Sequence, residues 1–229
     1  VITVLYPLFS RQAAADDRKG LKESFSLGVR EIGYIMLPAT VGLVMLSSPI
    51  IKVLFEHYNF SAQDTRTVAY ILVFHSLGLV WFGLLMILNR VFYAFKNVKT
   101  PLKVAAVSIV VNFGLDWLLI RFMDVGGLAL STSLVAAFNT VALLVILRKK
   151  VGNLGGKRIA VSYGKMMLAS AVMALCVYGI WKLLESYAYQ GLVPLIISLG
   201  LTIAAAAVIY IALTYWFKMD EIKFAINLF

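Results

Sequence analysis

Long, uninterrupted runs of apolar residues dominate the sequence, and short polar stretches separate them. Six runs are long enough to cross about 30 Å of hydrocarbon at roughly 1.5 Å of rise per residue. Because the apolar positions are continuous rather than alternating, they predict membrane-spanning helices and not the strands of a barrel. The predicted spans are Ile32 to Ile51, Val68 to Asn89, Leu102 to Ile120, Val125 to Leu147, Met166 to Leu184 and Leu192 to Phe217.

The overall composition agrees with this pattern. Hydrophobic residues make up 62% of the chain, charged residues only 14%, and the mean hydropathy is +0.90. These values lie far outside the range of soluble proteins. The sequence therefore predicts an all-α polytopic membrane protein.

The distribution of basic residues predicts an orientation. Most of the 21 Lys and Arg residues fall in alternate connections between the spans. By the positive-inside rule, this asymmetry places both ends of the chain in the cytoplasm. The net charge of +10 is then explained by basic connections that face anionic membrane lipids, with no nucleic-acid partner. The basic stretch Arg148 to Lys150 is either such a solvated face or a specific headgroup site.

Local patterns predict where two helices begin. Ser61 with Asp64 three residues later is a capping-box pattern, which starts the second helix in the outer loop. Thr100 followed by Pro101 predicts an N-cap with proline at the first helical position of the third span.

Prolines and small residues predict features inside the spans. Pro38 and Pro49 interrupt the first span and predict a bend there. The fourth span is rich in small residues that allow close helix approach, so we expect it at the centre of the bundle. These residues are Gly126, Gly127, Ala129, Ser131, Ser133, Ala136 and Ala137.

Asp116 is the candidate functional residue, because it places a carboxylate inside the third span. A charged side chain at membrane depth costs several kcal/mol, so it implies a function by default. Asn112 lies one helical turn earlier and shares its face, and Thr132 follows on the next span at similar depth. The alternative is that Asp116 reaches the outer interface and pairs with Arg121 or water.

Enzymatic chemistry finds little support. His57 lies in the outer loop and His75 is isolated within the second span, where we interpret it as a packing residue, so no metal-ligand spacing occurs. The single cysteine, Cys176, excludes a disulfide within the chain. No phosphate-binding loop or nucleophile elbow is present, so we predict a protein that is not an enzyme and requires no cofactor.

Three motifs resemble one family of transporters. RVFYAFKNVKTP, from Arg90 to Pro101, resembles the R-x-FYA-x-x-(D/N)-x-x-TP signature of the MurJ (MviN) lipid II flippases. YPLFSR, from Tyr6 to Arg11, resembles the family's P-x-x-S-(R/K) helix end, and GLALSTS, from Gly127 to Ser133, resembles its GLALATS stretch.

The resemblance implies a fold and a function. Members have fourteen helices in two six-helix lobes plus a final pair, and they belong to the multidrug/oligosaccharidyl-lipid/polysaccharide exporter superfamily. This chain would be the C-terminal part of such a protein, in the bacterial inner membrane. Residues 1–31 would end an earlier helix and form a cytoplasmic connection, residues 32–150 would supply four helices of the second lobe, and residues 151–229 the linker and final pair.

The implied activity is translocation of lipid II, the undecaprenyl-diphosphate-linked peptidoglycan precursor, by ion-coupled alternating access. The cationic headgroup site would lie in the missing N-terminal half, and the final pair would border a groove for the polyprenyl tail. Alternatives are a sibling multidrug/cation antiporter, a polysaccharide-repeat flippase, a membrane scaffold or a polyprenyl-phosphate enzyme.

The resemblance also implies a sodium site. In members that bind sodium, the ligands match Asn112, Asp116, the Leu128 carbonyl and Thr132, completed by an aspartate from an earlier helix. All four groups offer oxygen, which hard cations prefer. The sequence therefore predicts a partial site for Na⁺ in this chain.

Overall fold

Nine α-helices make up the described part of the chain. The computed structural model describes residues 2–56 and 59–222, so His57 lies outside the described residues, and no strand occurs within them. The helices are α1 (Ile2–Ala14), α2 (Arg18–Met45), α3 (Ser47–Phe55), α4 (Ala62–Ser76), α5 (Leu79–Ala94), α6 (Lys99–Met123), α7 (Val125–Val151), α8 (Gly156–Ala188) and α9 (Leu192–Trp216).

The structure confirms an all-α polytopic membrane protein. Five described helices, α2, α6, α7, α8 and α9, are long and apolar enough to span a membrane. The helices α4 and α5 form a sixth span if this bent pair is counted as one.

The first predicted span crosses a helix boundary. The chain leaves α2 at Met45 and enters α3 at Ser47, and the break falls at Leu46, where φ is −108°. The helix α2 continues through Pro38, so the break in this span does not fall at the proline. Pro49 lies in the first turn of α3, where a helix has no use for the missing N–H.

The second predicted span is not one helix. It consists of α4 and α5, which are bent by 42° at a short break. At the break, a Cβ on Gly78 would lie 2.6 Å from Oγ of Ser133 and 3.1 Å from its Cα. Only glycine allows this contact with α7 without displacement, so the break is located by tertiary contact and not by the apolar pattern.

Of the two predicted helix starts, one was right and one was wrong. The capping box of Ser61 and Asp64 is present at α4. The Thr100 cap is wrong, because α6 begins at Lys99 and the side chain of Asn97 accepts a hydrogen bond from Thr100 N at 3.2 Å. The helix α8 begins at Gly156 and contains the fifth predicted span, so the end of the basic linker before this span is helical.

Two apolar clusters stabilise the fold. One joins α1, α2, α5 and α7, and the other joins α8, α9 and the residues after α9 to Tyr34 and Leu46. The helix α7 contacts α4, α5 and α6, and its small residues at 126, 127, 129, 131, 133 and 136 are buried. This confirms the predicted central position of the fourth span.

Candidate ion-binding site

The hairpin of α6 and α7 brings the predicted ligands together. A single residue, Asp124, connects the two helices, with φ at +50°. Close to the turn, a Cβ on Gly127 would lie 2.5 Å from the carbonyl oxygen of Leu119, so the two backbones approach closely. This approach places the polar side chains of α6 beside those of α7.

Ser131 connects the predicted ligands at the centre of the hairpin. Its side chain is buried, and its Oγ donates a hydrogen bond to Oδ1 of Asp116. Nδ2 of Asn112 donates to the same Oγ at 3.4 Å, and Oγ lies 2.9 Å from the Leu128 carbonyl oxygen, another acceptor. One hydroxyl proton is thus shared between a carboxylate and a carbonyl.

Thr132 joins the same group through the backbone. Its Oγ1 donates to the Leu128 carbonyl at 3.0 Å, while the residue as a whole is exposed on α7. All four predicted ligands therefore belong to one network of oxygen and amide groups. Two of them, Asn112 and Asp116, reach it through Ser131, and the other two are linked to each other directly.

Asp116 has no cationic partner among the described residues. It is half-buried, and its contact within hydrogen-bonding distance is the neutral hydroxyl of Ser131. The guanidinium of Arg121 lies 3.8 Å from the ring centroid of Trp117 instead. The alternative in which Asp116 pairs with Arg121 is therefore wrong. The carboxylate of Asp116 points toward α7 and retains lone pairs that can bind a cation.

Ser131 is the residue that the sequence reasoning missed. It occupies the position of alanine in the GLALATS stretch that the chain resembles, so the resemblance points to Thr132 and not to Ser131. The signal was present in the spacing, since residue 131 lies three positions after Leu128 and shares a helix face with Gly127. A hydroxyl at this position adds one more oxygen to the predicted set.

A second set of hydroxyls supports the broken helix beside the hairpin. Ser133 donates to the carbonyl of Phe74 at 2.7 Å, Thr40 to that of Ser76 at 3.3 Å, and Thr140 to that of Trp81 at 3.0 Å. The first two bonds satisfy carbonyls at the end of α4, where the break removes helical partners, as hydrocarbon requires. The third is an additional bond from α7 to the first turn of α5.

His75, predicted as a packing residue, is instead exposed beside this break. Its ring centroid lies 5.6 Å from that of Phe82.

Two nearby serines of α7 contact different neighbours. Ser131 contacts α6, the partner helix of the hairpin, and Ser133 contacts the end of α4.

Comparison with known proteins gives a consistent result. The family model described as "Lipid II flippase MurJ" matches residues 1–199. A probable lipid II flippase MurJ of Rickettsia prowazekii is 31% identical over 220 residues, covering 95% of this chain and 43% of the relative. That of Bdellovibrio bacteriovorus is 32% identical, covering 90% of this chain and 39% of the relative.

A solved structure agrees with these relatives. The structure described as lipid II flippase MurJ in an inward closed conformation superimposes with a TM-score of 0.75 at 25% identity. The match covers 97% of this chain and 43% of that chain. The chain thus spans less than half the length of these proteins.

Proposed function

This chain belongs to the MurJ family of lipid II flippases, a family of transporters and not of enzymes, and we propose that it forms the C-terminal part of a protein that translocates lipid II. The match of the family model to residues 1–199 is the observation on which this proposal rests. The membrane would be the bacterial cytoplasmic membrane, with both ends of the chain on the cytoplasmic side. The remaining helices, including those with the cationic headgroup site, would come from an N-terminal half.

The transport cycle that we propose is alternating access, with residues 32–150 as part of one moving lobe and residues 151–229 as the linker and an additional helix pair. The bent pair α4–α5 lies within residues 32–150 and supports the proposal that this part of the chain moves. Discontinuous helices at membrane depth are common where transporters bind or gate. Two carbonyls at this break, those of Phe74 and Ser76, accept hydrogen bonds from side-chain hydroxyls of α7 and α2, which can exchange partners as helices shift.

The hairpin of α6 and α7 would supply part of a sodium site that couples transport to an ion gradient. Asn112, Asp116, the Leu128 carbonyl and Thr132 remain the proposed ligands, and Ser131 adds its hydroxyl oxygen. This set consists of hard oxygen donors with one negative charge, which suits Na⁺. Thr132 is exposed and Asp116 half-exposed on the hairpin, so a further acid from an N-terminal helix can approach both.

An apolar groove between α2, α3 and α9 would receive the polyprenyl tail. It has a volume of about 530 Å³, and its lining includes Ile35, Pro38 and Leu46 on one side and Ile203 and Ile211 on the other. The two tyrosines in its walls use their hydroxyls elsewhere. Tyr34 OH lies 3.2 Å from Oγ1 of Thr214, and Tyr210 OH donates to the Tyr34 carbonyl at 3.1 Å. The rest of the wall is hydrocarbon, which matches an isoprenoid chain.

Rescue of a bacterium depleted of its lipid II flippase tests the transport proposal. We expect the full-length protein that contains this chain to restore growth and to move lipid II to the outer leaflet of inverted vesicles in a sidedness assay. Expression at normal levels without rescue and without lipid II movement would contradict it. Export of cationic drugs or of another lipid-linked oligosaccharide in place of lipid II would assign the chain to a sibling transporter.

A further inference from the structure

The connection between α7 and α8 separates two neighbouring cavities. The first is a cleft of about 440 Å³ between α2, α5, α7 and α8. The second, of about 540 Å³, lies between α2, α8 and the residues that follow α9. Asn153, Gly156 and Lys157 line both cavities, so Lys157 stands at their boundary.

The cleft combines apolar walls with two cations at one end. Its walls include Phe25, Leu88 and Ile159 and the ring of Tyr163, whose hydroxyl donates to the Val29 carbonyl at 3.0 Å. The cations belong to the last turn of α7 and the first turn of α8, so both lie next to the connection. They are Arg148 and Lys157.

These two cations have no acidic partner in the part of the chain that the structure describes. The second cavity contains two acids, but each already pairs with an arginine. Glu221 lies 2.6 Å from Nη1 of Arg30, and Asp220 lies 3.4 Å from Nη2 of Arg158. The acids of the second cavity therefore do not neutralise Lys157, and its other basic residues add positive potential there. They are Lys165 and Lys218.

An anionic phosphate and a hydrocarbon chain, joined in one molecule, complement this arrangement. We propose that the cleft binds one anionic phospholipid of the membrane, with its phosphate between Arg148 and Lys157 and an acyl chain along Phe25, Leu88 and Ile159. Basic pockets between helices on the cytoplasmic side bind such headgroups. The two cations, which the lining of the proposed tail groove lacks, favour a phospholipid as the occupant of the cleft. This lipid site shares no lining residue with the proposed tail groove, and its proposal does not depend on lipid II transport by the protein.

Native mass spectrometry, which counts bound lipids, tests the site. The full-length protein is delipidated in detergent and then titrated with phosphatidylglycerol, phosphatidylcholine or inorganic phosphate. The double variant Arg148→Gln with Lys157→Gln removes both cations. The control, Lys149→Gln with Lys150→Gln, makes the same change in net charge at residues that do not line the cleft. Leu144→Trp fills the cleft without changing the charge.

We expect phosphatidylglycerol to bind the unaltered protein more tightly than phosphatidylcholine, and phosphate alone not to compete with it. The double variant should weaken this binding by about tenfold or more, because each cation near an anionic lipid contributes on the order of 1 kcal/mol. Leu144→Trp should weaken it as well, and the control pair should retain it. Equal losses in both double variants would overturn the proposal, since only general surface charge would then act. Displacement of the lipid by undecaprenyl diphosphate, lost in the same variant, would also overturn it.

Discussion

Arg30 and Glu221, which are separated by 191 positions in the sequence, form a buried ion pair. Nη1 of Arg30 lies 2.6 Å from Oε1 of Glu221, and their side chains are 6% and 2% exposed. Oγ of Ser162 donates to the same carboxylate at 2.8 Å. One charge pair thus fastens the segment after α9 to both α2 and α8.

We expect Glu221→Gln to destabilise the protein strongly. Removing the charge of one partner of a buried pair costs about 3–5 kcal/mol, because the Arg30 guanidinium and the Ser162 hydroxyl then face a neutral amide. The matched control is Asp220→Asn, because its pair with Arg158 is 3.4 Å long and two-thirds exposed on both sides. Exposed pairs contribute roughly 0–1 kcal/mol. Thermal unfolding in detergent measures both variants, and equal melting temperatures for the two would contradict this role of the pair.

Gly127→Ala should loosen the hairpin of α6 and α7. The added Cβ would meet backbone atoms of Leu119 at 2.5–2.6 Å, which cannot move aside like a side chain. Overpacking of this kind costs about 1–3 kcal/mol. Gly114→Ala on the facing helix is the control, because its Cβ would meet nothing within 4 Å. The prediction fails if the two alanine variants unfold at the same temperature.

The bond between Ser133 and the Phe74 carbonyl should stabilise the broken helix. Ser133→Ala leaves this carbonyl without its 2.7 Å partner, and such bonds in membrane proteins contribute about 0.6 kcal/mol, rising to roughly 2. Ser170→Ala is a suitable control, since this buried hydroxyl has no partner among the described residues. Hydrogen exchange of the α4–α5 amides should increase in the first variant only. Unchanged exchange in Ser133→Ala would show that the bond does not hold the break.

Gly42→Phe should block the proposed tail groove without unfolding the protein. Gly42 lines the groove, and a Cβ there meets nothing within 4 Å, so the ring can occupy the space of the tail. Gly200→Phe makes the same change at an open position of α9 outside the groove lining. We expect only the first variant to lose rescue of a flippase-depleted strain. Rescue by both variants at equal expression would remove the groove from the transport path.

Much of this architecture follows from the sequence. Hydropathy located the spans, and the capping pattern at Ser61 gave the start of α4, because both depend on local chemistry. The breaks at Leu46 and Gly78 were not predictable in this way. The apolar pattern continues through both positions, and at Gly78 the contact with Ser133 on α7 decides where the helix can bend.

The candidate ion-binding site likewise has residues that the sequence predicts and one that only the fold reveals. Asn112 and Asp116 are recognisable because they share one helix face and because a carboxylate is costly in an apolar run. The role of Ser131 depends on how α7 is rotated against α6, which the sequence pattern does not specify. Similarly, Arg30 and Glu221 look like ordinary charges of basic connections, and only the fold shows that they are buried together.

Sodium-dependent thermal stability tests the central claim, that the hairpin of α6 and α7 forms part of a sodium site. In the full-length protein, NaCl should raise the melting temperature above that in equal KCl, since an ion at 100 times its dissociation constant stabilises by about 2.7 kcal/mol. Asp116→Asn should abolish this difference. Asp124→Asn, at the turn of the same hairpin, should preserve it. A sodium-dependent rise that persists unchanged in Asp116→Asn would contradict the account.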